Sequence, residues 1–130
     1  MEFADMPREA SPQQRTILWL AIIVLAVVAL RVPLLGIPFE RDEGEYAYIA
    51  WRMQHGELPY RDWVDQKPPG IFLAYRLALS LPLEPIRAVH AVAMVVSAAS
   101  ACFFFLLAMR FMCRFWAGAA AVLFALLSAD

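Results

Sequence analysis

The chain has 130 residues, a formal net charge of −1, 62% apolar residues and 18% charged ones. Soluble domains carry about 45–50% and about 25%, so a water-solvated domain of ordinary composition is excluded. The near-neutral charge and the scattered basic residues argue against a nucleic-acid partner. The two cysteines, Cys102 and Cys113, are too few for a disulfide framework and fit no metal-ligand spacing.

The apolar residues lie in blocks rather than at amphipathic spacing, which points to lipid as the solvent. The expected fold class is all-α integral membrane. Residues 1–15 are polar, contain Pro7 and Pro12, and read as a disordered cytoplasmic tail. Residues 16–35 form the first expected transmembrane helix, starting "TILWLAIIVLAVVAL". Its length of about 30 Å matches a bilayer core, and Arg31 near its end can snorkel to the interface. A signal peptide is the rival reading, because Val27-Val28-Ala29 loosely resembles a cleavage site. The apolar run continues past it and the preceding tail is as acidic as it is basic, so an uncleaved helix is favoured.

Residues 36–84 form the first loop, expected to be extracytoplasmic. Seven of the twelve acids fall within 36–70: Glu40, Asp42, Glu43, Glu45, Glu57, Asp62 and Asp65. Asp42 is suited to cap a helix over about 43–55, with Glu43 and Glu45 in its first turn. Tyr46, Ile49, Ala50 and Met53 give that helix one apolar face, and Gly56 ends it. Such a helix lies along a membrane surface. "LPYRDWVDQKPPG" reads as extended, with Lys67 held out of the helical region by Pro68. Pro69 begins a second short helix over about 69–81, re-entrant or interfacial, which Pro82 and Pro85 end.

Residues 85–112 form the second expected transmembrane helix. His90 and the Cys102 thiol are its titratable groups between Ala88 and Met109. "SAASA" at 97–101 gives it a small-residue face suited to close helix packing. Arg110 and Arg114 follow. Residues 116–130 start a third apolar segment that stops short of a span, so the chain is expected to be the N-terminal piece of a longer protein. Basic density is highest in the 110–114 turn, which favours that turn inside and the acidic loop outside. The expected location is an inner or plasma membrane, multi-pass.

The loop carries the candidate chemistry. Asp42 and Glu43 are adjacent carboxylates, suited to base catalysis on an acceptor or to holding a divalent cation. The structural alternative makes Asp42 only a helix cap. Lys67 is a stiffly held point charge suited to a phosphate, or else a snorkelling lysine. Arg61, Arg76 and Arg87 add to an anion site or serve as interfacial anchors. Tyr46, Tyr48, Trp51, Tyr60 and Trp63 fit an interfacial belt and are also able to stack on a sugar. His55 and His90 stand alone, without metal-ligand neighbours.

The run "DEGEYAYIAWRMQHGELPYRDWVDQKPPGIFLAYRLALS", followed by "IRAVHAV", resembles the start of the GT-C type membrane glycosyltransferases, the protein O-mannosyltransferase and aminoarabinose transferase group (glycosyltransferase family 39). The shared pattern is the acidic pair Asp42-Glu43, Tyr46, Gly56, Tyr60-Arg61-Asp62 and Lys67-Pro68-Pro69 heading a helix. Some relatives have Glu before Lys-Pro-Pro where this chain has Gln66. The resemblance covers roughly residues 16–128 and implies a truncated GT-C-like bundle. It implies transfer of a sugar from a polyprenyl-phosphate donor to a lipid, glycan or protein acceptor. Asp42 and Glu43 would be catalytic, and Lys67, Tyr46, Tyr60 and Arg61 would bind substrate. An expectation from another class is a small non-catalytic membrane scaffold that binds partners through the amphipathic loop helix.

Overall fold

The computed structural model describes residues 11–128. The expected disordered tail up to residue 10 and the last two residues of the third apolar segment lie outside the described residues. Among the described residues the chain is all-helical, and its β-structure is one isolated bridge, Pro59 to Trp63.

Helix α1 spans Pro12–Arg31. It starts four residues before Thr16, so residues 12–15 are helix rather than tail. The reason is local. Gln14 N–H donates to Ser11 Oγ at 3.2 Å, and Ser11 N–H donates to Gln14 Oε1 at 2.7 Å. This reciprocal capping box, with Pro12 at the first helical position, satisfies amides that a helix start leaves open. A short 3-10 turn, Val32–Leu34, follows. Helices α2 (Arg41–Gln54), α3 (Pro69–Leu79), α4 (Pro85–Ala108) and α5 (Arg114–Leu127) complete the order.

Two segments are long and apolar enough to cross a membrane, Pro12–Leu34 with 23 residues and Pro85–Ala108 with 24. Only 11% and 17% of their apolar windows are buried. The core helix of a water-soluble domain buries most of such a stretch, so these two present their apolar surface outward.

The chain divides into two compact units. The first comprises residues 31–96 and carries the loop. Its core lies between α2 and α3: Ile49, Met53 and Phe72 are buried, with Tyr46, Trp63 and Ile71 packed against them. Phe72 is fully buried. Its ring meets Tyr46 and Trp63 edge-on, with centroids 6.0 and 5.4 Å away. Edge-to-face pairs of this kind add about 0.5–1.5 kcal/mol beyond area burial. The buried face of α2 (Ile49, Ala50, Met53) follows the i, i+1, i+4 spacing of a helix stripe, and its opposite face leaves Tyr48 and Trp51 exposed.

α2 stops in a Schellman motif. Gly56 takes φ +95°, its N–H donates to Met53 O, and Glu57 N–H donates to Arg52 O, each at 3.3 Å. Only a residue without Cβ adopts that backbone at no steric cost. An Arg52–Glu57 ion pair spans the same turn.

The second unit comprises the described residues up to Leu30 and those from Ser97 onward. Trp19 of α1 packs against Phe105 of α4 and Phe115 of α5, with centroids 6.5 and 6.2 Å apart. α5 buries a stripe of small residues, Ala117, Gly118, Ala121 and Ala125. A Cβ at Gly118 would run into the Trp19 indole, so this close approach requires glycine.

Candidate functional site

The site residues named from the sequence all fall in the 31–96 unit: Asp42, Glu43 and Tyr46 in the first two turns of α2, Tyr60, Arg61 and Lys67 on the segment that leads into α3, and Arg76 and Arg87 on α3 and α4. The N-cap of α2 is Glu40, not Asp42. Glu40 is extended (φ −67°, ψ 170°), and its N–H donates to Glu43 Oε2 at 3.2 Å. Glu43 reaches back to the Glu40 amide in a capping box, so the helix starts two residues earlier than a cap at Asp42 requires. Asp42 and Glu43 are both inside the first turn, where the helix dipole favours negative charge. Asp42 is thereby relieved of capping, and its carboxylate is exposed (66%).

Lys67 meets that carboxylate. Its Nζ lies 3.9 Å from Asp42 Oδ2 and 5.7 Å from the centre of the Tyr46 ring. Its backbone is held on both sides: Lys67 N–H donates to Asp65 Oδ1 at 3.0 Å, and the Tyr60 hydroxyl donates to Lys67 O. The Tyr46 phenol, then the Asp42 carboxylate, hold the Lys67 ammonium above the ordinary lysine range. The side chain remains half exposed. The arrangement is therefore a cation with an open face, paired at 3.9 Å with an exposed carboxylate.

Tyr60 and Arg61 serve the loop itself. Tyr60 sits at φ +64°, a left-handed backbone uncommon for a residue with a side chain. Its N–H donates to Trp63 O at 2.9 Å. This turn swings the phenol over to Lys67. Arg61 grips its neighbour Asp62 with two bonds, Nε to Oδ1 at 3.0 Å and Nη2 to Oδ2 at 2.7 Å. Asp62 Oδ2 also accepts the Leu58 N–H at 2.8 Å. The Arg61 bond, then that amide, hold Asp62 below the usual carboxylate range, and Arg61 is raised in return.

Glu43 turns to the other side of the helix. Its Oε2 lies 3.7 Å from His90 Nε2 on α4. Behind it is a cavity of about 260 Å³ lined by Glu43, Ile71, Tyr75, Val89, Val92 and Val96. Burial, then the Glu43 charge, push the Tyr75 phenol up to about 12. His90 does not stand alone as the sequence reading had it. The signal was available: an imidazole in an apolar helix needs a polar partner, and the acidic loop was the nearest source. His55, by contrast, caps the other end of α2, with Nδ1 2.8 Å from Trp51 O.

Among the described residues no three His, Cys, Asp or Glu side chains come close enough to hold a metal ion. Searches against protein-family models, curated proteins and solved structures found no match for this chain.

Proposed function

We propose that this chain carries the loop site of a membrane glycosyltransferase of the GT-C type, which moves a sugar from a polyprenyl-phosphate donor to a lipid, glycan or protein acceptor. The observation that supports this reading best is the Lys67–Asp42 juxtaposition: a cation and a carboxylate 3.9 Å apart, both open to solvent. In the proposed reaction the Lys67 ammonium pairs with the donor phosphate. Asp42 takes a proton from the acceptor as that group attacks the sugar carbon, and the polyprenyl phosphate leaves; Glu43 follows it in the same first turn of α2. Tyr46 and Tyr60 hold the lysine in place, and Arg61, paired with Asp62, would meet the substrate from the same loop. On this reading the two long apolar helices span the bilayer and the loop stands at the lipid–water boundary, where a lipid-linked sugar presents its head. The proposed setting is a multi-pass inner or plasma membrane with the 36–84 loop on the extracytoplasmic side.

The test is sugar transfer in membranes that contain the protein expressed from its complete reading frame, with a radiolabelled polyprenyl-phosphate sugar in excess. Asp42→Asn should lower transfer by about 10²–10⁴-fold, the range for loss of a general base. Near-normal transfer by that variant removes Asp42 from the chemistry. The non-catalytic alternative draws on the outer face of α2, where the exposed Tyr48 and Trp51 rings stack with centroids 6.2 Å apart. A transferase-inactive wild type that still captures a partner through this face would favour it.

A further inference from the structure

The imidazole of His90 is set between two acceptors. Its Nδ1 lies 3.4 Å from Leu35 O, and its Nε2 lies 3.7 Å from Glu43 Oε2. The ring is largely buried, 17% exposed, and stands edge-on to Phe39 with centroids 5.9 Å apart. A neutral imidazole has one N–H, so whichever tautomer it adopts, a lone pair faces an acceptor. The imidazolium has two N–H groups and suits both. At 3.7 Å the contact with Glu43 is an ion pair, and it exists only in the charged form. The same Glu43 oxygen accepts the Glu40 amide that starts α2.

The other groups around the pair are accounted for. Tyr75 of α3 lines the cavity beside Glu43. Asp42 is taken up by Lys67 on the other side of α2. On α4 itself Arg87 lies one turn before His90, and its amide is capped by Glu84 at 3.1 Å. The acidic pair is thus split, Asp42 toward Lys67 and Glu43 toward His90.

We propose that His90 is a protonation-dependent positioning residue: as imidazolium it ties Glu43, and with it the turn of α2 that carries Asp42, to the first half of α4. Loss of its proton releases Glu43, and the first turn of α2 loosens. On the transferase reading, on which this regulatory meaning rests, the base would be held in place while His90 carries its second proton and less firmly once it is lost.

The experiment is amide hydrogen exchange of the full chain in lipid nanodiscs at pH 5.5 and 8.0, corrected for intrinsic exchange and read over residues 39–46. The wild type should lose about twofold to fivefold in protection there between the two pH values, the range for one ion pair. Both His90→Gln and Glu43→Gln should abolish that dependence, and His55→Gln should keep it. A wild type without the dependence, a Glu43→Gln variant that retains it, or its loss in His55→Gln would each overturn the proposal. If His90→Gln fails to fold by circular dichroism, Glu43→Gln alone decides. No sugar transfer is measured, so this test stands or falls separately from the proposed reaction.

Discussion

Lys67 Nζ and Asp42 Oδ2 lie 3.9 Å apart, although the turn after α2 and the whole loop to α3 separate them in sequence. The approach depends on three local facts. Glu40 rather than Asp42 caps α2, which leaves the Asp42 carboxylate unspent. Tyr60 holds the Lys67 carbonyl from a left-handed backbone. Pro68 and Pro69 then fix the direction in which the chain leaves. An exposed pair of this kind contributes little to folding, because water screens it and two side chains lose freedom to make it.

Lys67→Met should therefore separate function from fold. The substitution keeps the apolar stem and removes the charge. Its thermal unfolding midpoint in detergent should match the wild type closely, while KM for a polyprenyl-phosphate sugar rises at least about tenfold. A large fall in the midpoint would mean that the pair holds the loop together rather than awaiting a phosphate.

Phe72→Ala should behave in the opposite way. Phe72 is fully buried between Tyr46 and Trp63, and it joins the two helices that present the site. Truncation of a buried phenylalanine costs about 3–5 kcal/mol. Chemical denaturation followed by Trp63 fluorescence should show the 31–96 unit melting earlier. A loss below about 1 kcal/mol would mean that α2 and α3 are held by something other than this ring.

The helices and their apolar faces were legible because burial leaves a period. Tyr46, Ile49, Ala50 and Met53 pointed to the face of α2 that packs on α3, and Gly56 to its end. What the sequence did not show were properties of pairs distant in the chain. The His90–Glu43 contact links α4 to α2. The cap at Glu40 depends on a side chain, Glu43, that reaches back three residues, and a carboxylate two positions later looked equally suited. Tyr60 and Arg61 stood out as possible ligand contacts because of their chemistry. Their nearest partners are Lys67 and Asp62, which composition alone does not reveal. The early start of α1 lies in Ser11-Pro12-Gln13-Gln14, where a proline that reads as a helix breaker in a polar tail is instead the first residue of a capped helix.

Gly118→Ala should destabilise the unit that contains α1 and α5. The added Cβ meets the Trp19 indole, which is itself confined by Phe105 and Phe115. Overpacking of this order costs about 1–3 kcal/mol. A second substitution that trims the indole, Trp19→Phe, should recover part of the loss when combined with it. Thermal unfolding of the two single variants and the double gives the coupling, and strict additivity would mean that the two side chains do not collide.

Alkaline pH should weaken the 31–96 unit through Tyr75. Its pKa rises from 10.0 to about 12, because burial and then the Glu43 charge disfavour the phenolate. Lys67 is also raised, through Tyr46 and Asp42. A raised folded-state pKa means that the folded chain keeps its proton where the unfolded chain gives it up. The stabilisation is complete below about pH 10 and is lost as pH climbs toward 12. Tyr75→Phe removes the titrating phenol and keeps the ring, so its stability should fall less steeply across that window. Phenolate absorbance near 295 nm, an approximate wavelength for tyrosinate, should show one fewer late-titrating tyrosine in the variant than in the wild type. Equal steepness in both proteins would assign the alkaline loss to Lys67 or to the other tyrosines, and would place Tyr75 in open contact with water.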